Sequence, residues 1–389
     1  MAVRHDPPFY RRNTDLTGNI CPLCSGAGVL SVHRSQIPVL QNVVYASAEA
    51  AQHAPHGRLD LATCRDCGFS WNAGFDATAI VYDERYDNHV ASSAFTAYYR
   101  SLATMLIDRF DIRDGTVYDI GCGKGEFLRE FSALAPAVRC IGIDPSCTPI
   151  IDGNFELRCM AFDRSVFDSA ARLVLLRHVL EHIDTPAAFL EALRDAMPAA
   201  PLFVEVPDLD WILKADAFWD FCYEHCNYFT PKTLGYALAR AGFDVSEQQN
   251  SFGDQYQWAL AVPAAPLIAV TDGSAAIAAT CAYAARETTA LARLQSDARQ
   301  RGGVAIWGMA TKGVMLAILL GADHVITGID MNIGKQGLFA AGSGVRIMGL
   351  SILESLPPQT RVIVMNPNYF DEISAMITGV RRDLVITSA

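Results

Sequence analysis

Short apolar runs ending at a glycine or an acidic residue recur along this chain, and most lead straight into residues with helical apolar spacing. In "TVYDIGCGKGEFLREF" the run 117–120 reaches Gly121, Gly123 and Gly125, and a helix begins at once. "VRCIGIDPS" ends on Asp144, "ARLVLLRHVLEHID" runs through Arg177 and His178, and "PLFVEVP" precedes Asp208. Buried strands alternating with helices predict a parallel, doubly wound α/β sheet, with ligands at the carboxyl ends of its strands. Upstream, apolar residues at helical spacing over 90–110 predict a helix. Downstream, the Ala-rich stretch 274–299 lacks breakers and predicts one long connector helix. Beyond it, "GGVAIWGMATKGVMLAILL", "HVITGIDMNIGKQG" and "RVIVMNPNYFDEI" predict a second, smaller Rossmann-like unit. The spacing from Gly308 to Asp330 imitates a nucleotide fingerprint but has one glycine where two or three belong, so this unit reads as a scaffold or substrate wall.

The N-terminal part reads differently. "CPLC" and "CRDCG" place Cys21 and Cys24, then Cys64 and Cys67, in two CxxC knuckles. Four thiolates complete a tetrahedron and leave no open position, which predicts a structural Zn2+. The intervening "QIPVLQNVVYAS" is expected to carry strands of its own. The expected division is a zinc-binding module at 1–80, a central domain at 81–268, and a connector helix with the second Rossmann-like domain at 269–389.

Composition narrows the function classes. The 389 residues are 51% hydrophobic and carry a net charge of −11, which supports buried cores and argues against a nucleic-acid partner. The apolar runs are too short for a bilayer, and the polar opening "MAVRHDPPFYRRNTD" has no apolar signal core. The expectation is a cytoplasmic protein, monomer or homodimer, acting on a small molecule without membrane or nucleic acid. The odd, scattered set of 11 cysteines fits a reducing compartment.

Three features sharpen the glycine motif beyond a generic dinucleotide loop, which remains the competing reading. Asp119 closes the first strand, Asp144 stands where a carboxylate meets ribose hydroxyls, and Leu180–Glu181–His182 follows the later strand. Together they resemble the class I S-adenosylmethionine-dependent methyltransferases. That resemblance implies that Gly121 and Gly123, with Cys122 between them, lie against the methionine part of the cofactor. It implies that Asp144, with Pro145 beside it, binds the ribose, that Met160 borders the adenine, and that Arg177 and His178 face the reacting centre.

The three-part order resembles, more narrowly, the sugar C-methyltransferases that act on nucleotide-linked keto-deoxysugars. "WGMATKGV", "IDMNIGKQG", "GSGVRI" and "MNPNYFDEI" have close equivalents there. So does "AFWDFCYEHCNYFT", where Glu224 and His225 fall on the family's Tyr-x-Glu-His segment, although the tyrosine position holds Cys222 and the ring is at Tyr223. His182 falls on a histidine the family uses near the sugar. The stretch "FGDQYQWAL", in place of a glycine-rich segment, is expected on the substrate side.

Carbon methylation requires a base to remove a proton beside a ketone and donors to steady the enolate oxygen. His225 is the candidate base and Glu224 its neighbour; His178, His182, Tyr223 or Tyr86 are candidate donors. A turn or helix start is expected at His225, with Cys226 and Tyr228 packed behind it. O- or N-methylation of another metabolite, and a non-catalytic nucleotide-sugar binding protein, remain as alternatives. The plain packing reading of this aromatic stretch also stays open.

Overall fold

The computed structural model describes residues 19–80, 92–163, 165, 167, 171–197, 200–269 and 271–389. Its N-terminal part forms β1 (Gly28–Pro38), β2 (Val44–Tyr45), the short helix α1 (Ala48–Gln52), β3 (His56–Cys64) and β4 (Ser70–Asn72). β1, β3 and β4 pair antiparallel. β3 is buried on successive residues from Leu59 to Cys64, so both of its faces are covered. The helix expected over 90–110 is α2 (Ser93–Arg109), where the Ser92 hydroxyl accepts from the Phe95 N–H at 3.5 Å.

The central sheet follows the expected alternation. β5 (Thr116–Ile120) leads to α3 (Glu126–Leu134), β6 (Arg139–Ile143), β7 (Ile150–Asp152), β8 (Phe155–Arg158) and β9 (Ala171–Arg177). Then come α4 (Pro186–Ala196), β10 (Leu202–Pro207) and α5 (Leu209–Lys214). The two-residue β11 (Asn227–Tyr228), helix α6 (Pro231–Ala241) and the hairpin β12 (Phe243–Ser251) and β13 (Tyr256–Pro263) complete this part. The strand order is β12-β13-β10-β9-β5-β6-β8-β7. The five strands from β10 to β8 are parallel, and antiparallel strands close both edges. The chain goes from β5 to β6 on one side and returns to β9 on the other. That reversal opens a crevice at the carboxyl ends of β5 and β9, the usual ligand position in such sheets.

Helix α7 (Ser274–Gln300) spans 27 residues and leads to β14 (Val304–Trp307), α8 (Thr311–Leu320) and β15 (Val325–Ile329). The chain continues through β16 (Phe339–Ala340), β17 (Ile347–Met348), β18 (Arg361–Val364), α9 (Phe370–Val380) and β19 (Val385–Ser388). Five of these strands form an all-parallel sheet in the order β17-β15-β14-β18-β19.

The three expected segments share secondary structure. β11 from the middle of the chain pairs with β4, and β16 from its last third pairs with β2. Arg34 on β1 makes a 2.7 Å ion pair with Glu287 on α7 and donates to the carbonyls of Phe218 and Phe221. Both charged groups are nearly buried, so this link costs desolvation and is steadied by its added hydrogen bonds. It clamps the 217–230 stretch between the N-terminal sheet and α7. Among the described residues, no helix is long and apolar enough to cross a membrane.

Candidate functional site

The crevice at the carboxyl ends of β5 and β9 is a cleft of about 210 Å³. Asp119, Gly121, Cys122, Gly123, Arg177 and His178 line it, with Phe95, Tyr99, Phe127 and Tyr256 among the other walls. Gly121 has φ +73°, and a Cβ there would sit 2.3 Å from a methyl of Val179. Gly123 has φ +54°, and a Cβ there would meet nothing within 4 Å. The first glycine lets two chain segments touch; the second keeps a wall of the cleft clear. Asp144 follows β6, and its Oδ2 accepts from the Gly123 N–H at 2.9 Å. Its other oxygen accepts from Ser146 N and Oγ at 2.7 and 2.6 Å. Pro145 is exposed beside it, and Met160 is 38% exposed just beyond β8.

A buried ionic layer forms the floor. Arg177 and Glu205 are register partners on β9 and β10. Arg177 Nε donates to Glu205 Oε2 at 2.9 Å, and Nη2 lies 2.7 Å from the same oxygen. The guanidinium stacks over Phe127 at 4.0 Å and Tyr99 at 4.7 Å from their ring centroids. The Tyr98 hydroxyl bonds the other Glu205 oxygen. Burial pushes Glu205 up, but Arg177 and His178 outweigh it and hold the carboxyl at about 2. Burial pushes Asp119 up to about 7, partly offset by Arg177.

His178 takes φ +53°, a left-handed conformation that costs a non-glycine residue about 1–3 kcal/mol and clusters at functional sites. Its Nε2 lies 3.4 Å from Glu205 Oε2 and its Nδ1 lies 3.4 Å from Glu181 Oε1. Burial disfavours the charged ring, yet the two carboxylates outweigh burial and raise its pKa to about 9. His178 is therefore an imidazolium at neutral pH, edge-on to Tyr256 at 4.5 Å.

Behind His178 lies a second cluster. His182 Nδ1 and the Glu224 carbonyl are 2.9 Å apart, and the His182 and His225 rings meet edge-on at 4.9 Å. Donor atoms of Glu181, His182 and His225 all lie within 4.8 Å of one another. Burial first, and then the neighbouring His182, push His225 down to about 3, so this ring is neutral. The Glu224 carboxylate points elsewhere: Oε1 accepts from the Gln41 N–H at 3.0 Å.

The catalytic expectation for Tyr223 needs revision here. The Tyr223 hydroxyl accepts from the Asp76 N–H at 2.8 Å, and its ring packs on Gly57 and Phe75. Tyr223 is thus 1% exposed and bound into the N-terminal module, not turned to the imidazoles. Local spacing could not report this, because β4–β11 pairing sets which way the segment faces. Tyr86 lies outside the described residues. The chain bends at Tyr223 and Glu224 and runs through His225 into β11, without a turn or helix start at His225, while Cys226 and Tyr228 are buried.

The four N-terminal cysteines are free thiols gathered at one point. Sγ distances are 3.4 Å for Cys24–Cys64 and Cys24–Cys67, and 3.6 Å for Cys21–Cys67. A tetrahedron with Zn–S bonds of about 2.3 Å has edges of about 3.8 Å, so these four residues fit such an ion.

A methyltransferase-domain family matches residues 92–248, which hold both clusters and every named wall of the cleft except Tyr256. The C-methyltransferase NovU of Streptomyces niveus is 26% identical over 323 residues, covering 74% of this chain and 76% of that protein. This chain is an S-adenosylmethionine-dependent methyltransferase. Among solved structures, CalO1, a methyltransferase in calicheamicin biosynthesis with SAH bound, is 20% identical. That likeness covers 44% of this chain and 54% of CalO1, with a TM-score of 0.35. The magnesium protoporphyrin IX methyltransferase ChlM of Synechocystis PCC 6803, with SAH bound, is 14% identical and covers 46% of this chain and 91% of its own, with a TM-score of 0.36.

The cleft of this methyltransferase fits the donor: a cleared glycine wall, a carboxylate anchored at the end of β6, and an aromatic rim. Several of its residues carried no readable signal of function in the sequence. Glu205 sits inside an apolar strand run, and Phe95, Tyr98 and Tyr99 looked like the inner face of a helix. The one available hint was their i, i+3, i+4 spacing, which puts three rings on one helical face.

Proposed function

We propose that this methyltransferase places its methyl group on carbon, next to the ketone of a nucleotide-linked keto-deoxysugar. The observation that carries the reading is the His225 ring, held neutral by burial and set edge-on against His182, one carboxylate away from the cleft. An oxygen nucleophile needs positioning; a carbon nucleophile needs a base that is unprotonated at working pH. The relative's printed name, C-methyltransferase, supports the same reading. When bound, S-adenosylmethionine supplies an electrophilic methyl. Asp144 would hold its ribose, Gly121 and Gly123 its methionine part, and Asp119 and Arg177 the polar end of the cleft. His225 takes the proton, His178 faces the reaction as a fixed cation, and Glu224 keeps the Gln41 backbone and the 217–230 stretch together.

In the same reading, Cys21, Cys24, Cys64 and Cys67 hold a structural zinc that fixes the N-terminal sheet. The all-parallel C-terminal sheet forms the substrate-side wall. Lys312 at the start of α8 supports that role, since its Nζ lies 3.1 Å from Asp220 Oδ1 and donates to Gln255 Oε1 at 3.1 Å. The test is incubation with S-adenosylmethionine and nucleotide-linked keto-deoxysugars, followed by carbon NMR of the product. A new methyl on the carbon beside the ketone is expected. A methyl on oxygen or nitrogen would overturn the reading.

A further inference from the structure

We propose that Glu181 is the positioning carboxylate of the base, holding the imidazolium that forms when His225 takes the substrate proton. This rests on the carbon-acceptor reading above. Glu181 sits in the one-turn 3₁₀ segment Leu180–His182, at the hub of three imidazoles. His178 Nδ1 is 3.4 Å from its Oε1 on the cleft side. His182 and His225 lie on the other side, with donor atoms within 4.8 Å of it and of each other.

Its surroundings make this more than a buried ion. The residue is 1% exposed, and among the described residues neither carboxylate oxygen makes a hydrogen bond of normal geometry. A buried carboxylate in that state is costly unless positive charge faces it. One fixed cation, His178, already does so. The remaining side faces two rings, one of which must become charged if His225 acts as a base.

The turn is fixed in place from both directions. Cys226 Sγ donates to the Glu181 carbonyl at 3.4 Å, and Asn227 Nδ2 donates to the Leu180 carbonyl at 3.0 Å. His182 Nδ1 donates to the Glu224 carbonyl at 2.9 Å, which fixes the orientation of that ring. These bonds leave the carboxylate little freedom to retreat when charge develops.

The step balances as follows. The C–H bond beside the ketone breaks, its proton goes to an imidazole nitrogen of His225, and its electron pair becomes the enolate. The enolate carbon forms the new C–C bond with the sulfonium methyl, and the C–S pair stays on sulfur. The imidazolium later returns its proton to water. Burial and His182 resist a charge on His225, while Glu181 pulls the other way. Glu181 thus acts through His225 and has no contact with substrate to make.

Glu181→Gln in the full chain separates this role from simple filling. With S-adenosylhomocysteine bound and a keto-sugar nucleotide that the wild type exchanges, deuterium wash-in at the carbon beside the ketone should fall by about 10²-fold, in the range of general-base effects. S-adenosylhomocysteine affinity should change by less than about twofold. A second measurement needs no substrate. In histidine-labelled NMR titrations, the His178 midpoint, near 9 in the wild type, should drop by about one pH unit or more. Glu181→Asp keeps the charge and should recover at least about tenfold of the lost exchange; it also serves if the Gln variant does not fold.

Wild-type exchange matched by Glu181→Gln would overturn this inference and leave the carbon-acceptor reading standing. No exchange in the wild type would overturn that reading first. An unmoved His178 midpoint would also sink the role given to Glu181. So would a second bound divalent metal, beyond the zinc of the four cysteines, that Glu181→Gln removes, because the cluster would then be a metal site.

Discussion

The Nδ1 atom of His182 lies 2.9 Å from the backbone carbonyl of Glu224, tying the turn after β9 to the stretch that carries His225. A carbonyl only accepts, so His182 Nδ1 is the donor in this bond. The side chains of His182 and His225 meet edge-on, and neither is among the residues that line the cleft. His225→Ala should therefore lower turnover by about 10²-fold or more while binding of the methyl donor is kept. Steady-state rates and donor calorimetry check both halves. Lost donor binding would mean that the imidazole pair supports the cleft instead of the chemistry.

Gly121 and Gly123 should fail in different ways. In Gly121→Ala the new Cβ would stand 2.3 Å from Val179 on a backbone with φ +73°, so folding itself should suffer, by about 1–3 kcal/mol or more. In Gly123→Ala the Cβ meets nothing within 4 Å. Its strain is local, and the methyl group narrows the cleft. Denaturant melts should show the larger loss for Gly121→Ala, whereas Gly123→Ala should lose donor affinity out of proportion to its stability. Equal melts would contradict the close approach to Val179.

Asp144→Ala should weaken the methyl donor. Hydrogen bonds to a charged acceptor contribute about 1.5–3 kcal/mol, and Asp144 also fixes the Gly123 N–H at 2.9 Å. Calorimetry should show a loss of at least about tenfold in affinity. Unchanged affinity would remove Asp144 from the donor site.

One zinc per chain is expected by metal analysis of purified protein. Cys24→Ser alters the half-buried member of the set, whose thiol lies 3.4 Å from two of the others. It should lower zinc content and thermal stability. Active, stable protein without zinc would contradict the structural role.

The pH dependence of stability should carry the marks of two histidines. His178 titrates near 9 when folded and 6.5 when unfolded, so its contribution is complete below 6.5 and is lost as pH rises through 9. His225 is pushed down to about 3 from 6.5, so the folded state binds fewer protons in that window and stability falls as pH drops through it. Urea melts of wild type and His178→Gln should differ most below pH 6.5 and converge toward pH 9. A constant difference across that range would show that His178 gains no stabilising charge.

Local pattern alone placed β5, β6, β9 and β10 of the central sheet, because each is a short apolar run with a breaker or polar residue close behind it, whereas the short β7 and β8 and the polar β12 carry no such pattern. The CxxC pairs and the glycine loop were legible for the same reason: their chemistry depends on spacing within a few positions. Asp119, Gly121, Gly123, Arg177 and His178 do meet in one cleft, as strand ends in an open sheet must. What tertiary structure decided is direction. Tyr223, Glu224 and His225 are consecutive, yet Tyr223 bonds Asp76, Glu224 bonds Gln41, and the His225 ring meets His182. Pairing of β11 with β4 and the Arg34 clamp set those directions, and both partners lie more than a hundred residues away in sequence. Glu205 became visible in the same way: inside an apolar run it has no local partner, and Arg177 on the adjacent strand supplies the charge that lets it stay buried. Glu181 has His178 and His182 as local neighbours, and the fold adds His225 to them.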